Sequence, residues 1–66
     1  MTTQNYEEIA RGNVERYLSD AVMEDGEDAI YDSAYTLALD ALVDAGAPLQ
    51  EAREIAVRVA QAYAQP

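Results

Sequence analysis

The chain has 66 residues, half of them hydrophobic, and 13 acids against four arginines, with no lysine and no histidine, for a net charge of −9. That length holds one domain with one small core. The absence of cysteine excludes disulfides, thiolate zinc sites and thiol nucleophiles, and the absence of histidine removes the commonest general base and metal ligand.

High net charge favours disorder, but the apolar residues here fall in helical register, which predicts a folded, all-α chain. The first helix is expected from about Asn5 to Glu24. Asn5 can cap it, and Glu8 three residues on completes a capping-box pattern. Tyr6, Ala10, Val14, Tyr17, Leu18, Ala21 and Val22 share one face at 100° per residue. Gly12 lies opposite, and Ile9 falls off the stripe as an exposed apolar residue.

A second helix is expected from about Glu27 to Ala45, with Asp25 as N-cap and Gly46 as the stop. Its apolar arc is wide. Ile30, Ala34, Leu37, Ala38, Ala41, Leu42 and Ala45 form the centre, and Tyr31, Tyr35, Leu39 and Val43 extend it to one side. Such a helix touches neighbours on two sides, or meets a second copy of the chain. The third helix opens at Pro48, which suits a first helical position. Leu49, Ala52, Ile55, Ala56, Val59, Ala60 and Tyr63 make its stripe, and Glu54/Arg58 is a favourable i,i+4 pair. Short connections make successive helices antiparallel. The expectation is one acidic domain over residues 1–66, a small three-helix bundle.

Charge is unevenly placed along that bundle. Between Arg16 and Arg53 there are nine acids and no basic residue, whereas residues 47–66 carry two of each sign. Glu27 and Asp28 sit in a first helical turn, where the helix dipole favours a carboxylate. Asp20 and Glu24 are expected in the last turns of the first helix, where the dipole disfavours them, and they form a like-charge i,i+4 pair. Asp40/Asp44 repeats that pattern. Ser33, Thr36, Asp40 and Asp44 share a face bordered by Asp32, a ridge expected to run on from the acidic turn. The candidate partner-binding residues are therefore Asp20, Glu24, Asp25, Glu27, Asp28, Asp32, Asp40 and Asp44. Tyr31 and Tyr35, at the edge of the apolar arc, are either packing residues or interface anchors. Tyr6, Tyr17 and Tyr63 are expected in the core with their hydroxyls in solvent.

Other functions are argued against by chemistry. The stretch MEDGEDAIYDSA lacks the alternating acids and closing bidentate Glu of an EF-hand calcium loop, so no metal and no cofactor is expected. A catalytic carboxylate pair needs a cleft that separates its pKa values, and a bundle this small leaves little room for one; the chain is read as a non-enzyme. Contacts to phosphates need Lys and Arg, so direct nucleic-acid and anionic-membrane binding are not expected. No signal-peptide pattern or membrane span is read, so a cytoplasmic location is expected, and the Ala- and Arg-rich, Lys-free usage points to a bacterial host cell.

In size, charge and compactness the chain resembles the small acidic proteins that phages and mobile elements use against host defence, of the anti-CRISPR and anti-restriction type. That resemblance implies a mechanism by which carboxylates stand in for phosphates, enter a Lys/Arg-lined groove of a nuclease or CRISPR surveillance complex, and exclude its DNA. The alternative is a helical interaction module or small homodimeric regulator that uses the apolar flank of the second helix. The expected oligomeric state is a monomer or weak homodimer.

Overall fold

The computed structural model describes residues 5–64, which are all-helical with no strand. Among the described residues there are four helices where three were expected: α1 (Tyr6–Tyr17), α2 (Asp20–Glu24), α3 (Glu27–Asp44) and α4 (Leu49–Ala64). The first predicted helix is two helices. Leu18 leaves α1 with extended backbone, and the Ser19 hydroxyl accepts a 3.3 Å hydrogen bond from the Val22 N–H to cap α2. Serine followed by an acid is a helix-start signature, and here it overrides the apolar periodicity that runs through it. At the other end of α1 the expected cap is present, with Asn5 Oδ1 accepting from the Glu8 N–H at 3.1 Å.

Two further boundaries move by a residue. Gly26, not Asp25, occupies the N-cap of α3, at φ 110° and without a side-chain cap, while Asp25 closes α2. Two helices meet there across so short a turn that the chain must adopt a left-handed-region φ, which glycine alone takes without strain. Pro48 precedes α4 instead of opening it, and its carbonyl accepts from the Ala52 N–H. The end of α3 follows the expectation. Gly46 at φ 91° donates to the Val43 carbonyl, and Ala47 donates to the Leu42 carbonyl. This Schellman pattern satisfies carbonyls the helix would leave free, and it tucks Ala47 against the core.

The core consists of Ala10 and Val14 from α1, Ile30, Ala34, Ala38 and Leu42 from α3, and Ala52, Ile55, Ala56, Val59 and Ala60 from α4. Helix α3 is central, packed against each of the other three. Several stripe positions lie elsewhere. Tyr17 and Leu49 are 61% and 59% exposed, because α1 stops at Tyr17 and Leu49 begins α4 at the rim. Ala21 is exposed and Leu37 half-buried. Ile9, expected in solvent, is half-buried and faces the C-terminal part of α3 in a cleft that also includes Asn13 and Ala41.

Asn13 explains that shift. Its Nδ2 donates to the Leu37 carbonyl at 2.8 Å, a partly buried hydrogen bond across the α1–α3 contact. An asparagine in mid-helix is a poor helix former, and such a residue is commonly kept for a side-chain hydrogen bond. Gly12 beside it has no such role. A Cβ there would meet nothing within 4 Å, and its φ is not positive. Gly12→Ala is therefore expected to raise unfolding free energy by roughly 0.5–1 kcal/mol, measurable by urea denaturation.

Among the described residues, ion pairing is confined to the α1–α4 side. Glu7 bridges Arg11 and Arg58, each at 3.2 Å, so the expected Glu54/Arg58 pair is replaced by a longer-range one. The Tyr63 hydroxyl, expected in solvent, donates to Glu15 Oε2 at 3.1 Å. Burial, then the hydrogen bond and charge of Glu15, push the Tyr63 pKa above its ordinary value of 10.0. The unfolded chain then loses this proton first, so stability falls as pH rises through about 10. Tyr63→Phe should flatten that alkaline loss in thermal melts at stepped pH.

Candidate functional site

Of the eight candidate carboxylates, every one is exposed. Among the described residues, none from Asp20 to Asp44 makes an ion pair. Helices α2 and α3 contain no basic residue, so the four arginines lie on α1 and α4 alone.

The structure changes the energetic reading of one acid. Asp20 sits in the first turn of α2, where the helix dipole favours it. Glu24 remains at a helix end, and Asp44 is the last residue of α3, whose final turn holds no basic residue. Both stand where helix stability disfavours them.

On α3 the exposed positions Asp28, Asp32, Thr36, Asp40 and Asp44 recur every fourth residue. Such a row drifts slowly round the helix and advances about 6 Å per step. The expected ridge exists, and Asp28 belongs both to it and to the acidic turn. Helix α1 crosses α3 at the Asn13–Leu37 hydrogen bond. Asp32 lines a cleft on one side of that crossing and Asp44 a cleft on the other. Thr36 is occupied internally, its Oγ1 donating to the Asp32 carbonyl at 2.9 Å.

Tyr31 and Tyr35 are half-buried against the core, with rings stacked at 6.3 Å and 15°. Packing accounts for their apolar bodies, and the exposed remainder borders the acidic face. Their neighbour on the same flank, Val43, is 53% exposed.

The cleft beside Asp32 has a volume of about 390 Å³ and is open to solvent. Tyr17, Leu18 and Val22 come from the elbow between α1 and α2; Asp32, Ser33 and Leu37 come from α3. Sequence reading missed this feature because it treated residues 5–24 as one straight helix. The Ser19–Asp20 start signal was the available clue. Among the described residues no group of three or more carboxylates is arranged to hold a metal ion, and no helix is long and apolar enough to cross a membrane. No protein-family model matches the chain, and neither the curated proteins nor the solved structures contain a significant match.

Proposed function

We propose that this chain is a non-enzymatic acidic inhibitor that docks on a basic, nucleic-acid-binding surface of a host defence protein and blocks DNA binding by mimicry or occlusion. In this reading it acts in a bacterial cytoplasm, the three longer helices form a bundle, and α2 is an outrigger on it. The observation that carries the reading is the arginine-free α3, whose exposed carboxylates have no ion-pair partner among the described residues. Five carboxylates over its 18 residues amount to one charge per about 5 Å of helix axis. One strand of DNA carries one per about 3.4 Å. The density is lower than that of a nucleic acid but of the same order, and it suits a groove built for phosphates.

The test is capture on the immobilised chain from a bacterial lysate at low ionic strength, followed by a salt gradient and a DNA-retention assay on what elutes. Nucleic-acid-binding proteins should be retained, released by salt, and hindered from binding DNA when the chain is added back. A partner whose affinity is the same at low and high salt would remove mimicry as the mechanism. The combined variant Glu24→Lys, Asp28→Lys and Asp32→Lys should lose capture while retaining the helical circular dichroism.

A second reading, a helical interaction module or small homodimer, is favoured by the exposed Val43 beside Tyr35 and Leu39. Tyr35 and Leu39 pack on the core, so Val43→Glu is the cleaner probe. Loss of association with that variant, while acid-to-amide variants bind normally, would select this reading.

A further inference from the structure

The cleft between the α1–α2 elbow and α3 differs from four other surface clefts in carrying acid charge alone. Those four each include an arginine in their walls: Arg16, Arg58, Arg53 and Arg11 respectively. Each of those also holds one or two carboxylates beside its arginine, so a cation there meets mixed charge. The elbow cleft has no basic wall residue, and Asp32 is its one ionised group.

Its chemistry is also mixed in a particular way. The Asp32 carboxylate and Ser33 hydroxyl supply hydrogen-bond acceptors, while Leu18, Val22 and Leu37 supply an apolar surface. Tyr17 adds an aromatic side chain that is 61% exposed. Because the Thr36 hydroxyl is already donated to the Asp32 carbonyl, the carboxylate is the dominant polar feature left for a ligand. An arginine side chain matches this set. Its methylene stem lies on apolar surface with the charged head at a rim, and its guanidinium pairs with a carboxylate in fork geometry and stacks on an aromatic face. Lysine offers a point charge and a more strongly hydrated head, and exploits the aromatic wall less well.

We propose that the elbow cleft seats a single arginine side chain of the protein partner, with the guanidinium on Asp32 and the stem against Leu18, Val22, Leu37 and Tyr17. This deepens the acidic-docking reading, on which it rests: the carboxylates along α3 attract the basic surface, and the cleft fixes its register.

The test is an amide-resolved NMR titration of the full chain with acetyl-Gly-Arg-Gly-amide and with its lysine and citrulline counterparts. The arginine peptide should saturate, with the largest shifts in residues 17–22 and 32–37. The lysine peptide should bind several-fold more weakly, and the citrulline peptide should not bind. Asp32→Asn should weaken the arginine peptide about tenfold, the loss of one charge-assisted hydrogen-bonded pair. Tyr17→Ala should erase the preference for arginine over lysine. Both positions are exposed, and circular dichroism checks that the variants stay helical. Equal, non-saturating shifts for arginine and lysine spread along α3 to Asp40 and Asp44 would overturn the proposal. An oligolysine titration at low ionic strength separates the two readings. If oligolysine binds but the arginine selectivity is absent, the cleft fails and acidic docking stands. If the arginine peptide saturates the cleft and oligolysine does not bind, the reverse holds.

Discussion

Leu42→Ala should remove a large part of the chain's stability at 25 °C. Leu42 is the largest fully buried side chain, at 0% exposure, and it lies on the central helix against the core residues of its neighbours. Truncating a buried leucine to alanine costs about 2–5 kcal/mol, from lost transfer energy and the cavity that remains. At about 0.05–0.15 kcal/mol per residue, a chain of 66 residues has roughly 3–10 kcal/mol in all. The substitution removes most of that at the low end and a large share at the high end. Val43→Ala, one position on and 53% exposed, is the control and should change the unfolding free energy measured in urea by less than about 0.5 kcal/mol. A cooperative Leu42→Ala transition within about 1 kcal/mol of the parent would show that the interior lies elsewhere.

Salt should raise the melting temperature and lower partner affinity in the same experiment. Asp20/Glu24, Asp28/Asp32 and Asp40/Asp44 are like-charge i,i+4 pairs within helices, and none of these acids has an arginine partner. Each such pair costs about 0.2–0.5 kcal/mol. Between about 0.01 M and 1 M salt the screening length shrinks from roughly 30 Å to 3 Å, which relieves on the order of 1 kcal/mol in total. For a domain of this size that corresponds to a rise of about 4–8 °C. Sodium chloride, not sulfate, is the appropriate salt, since sulfate strengthens apolar burial by itself. The double variant Asp32→Asn and Asp44→Asn, which spares the first-turn acids of α3, should start from a higher melting temperature and respond less to salt. Association with a basic surface moves the other way, because the same screening weakens attraction between the partners. A melting temperature indifferent to sodium chloride would mean that the carboxylates do not repel one another appreciably.

Much of the architecture was legible in the residues. The apolar spacing of 52, 55, 56, 59 and 60 names the buried face of α4, and Gly46 marks the end of α3. Asn5 was readable as a cap. What failed was continuity. The apolar period passes through Leu18 and Ser19 without interruption, yet one serine hydroxyl satisfying one backbone N–H is enough to restart the helix there. That local choice re-aims Tyr17 outward, places Asp20 at a favourable helix start and creates the elbow cleft. Asn13 was passed over for a related reason. A polar residue beside an apolar stripe carries no periodic signal, and its partner, the Leu37 carbonyl, is a backbone atom. The charge map was readable because helices α2 and α3 have no cation to redistribute, whatever the fold.

The composition of the interior has a thermal consequence. Six of the eleven buried core residues are alanines, so the helices meet largely through methyl groups and backbone. Unfolding then exposes comparatively little hydrocarbon, and the heat-capacity increment should fall below the ordinary ~12–15 cal/mol/K per residue. A small increment flattens the stability curve. The molecule resists cold about as well as warmth, with a shallow optimum and a broad melt in place of a sharp one.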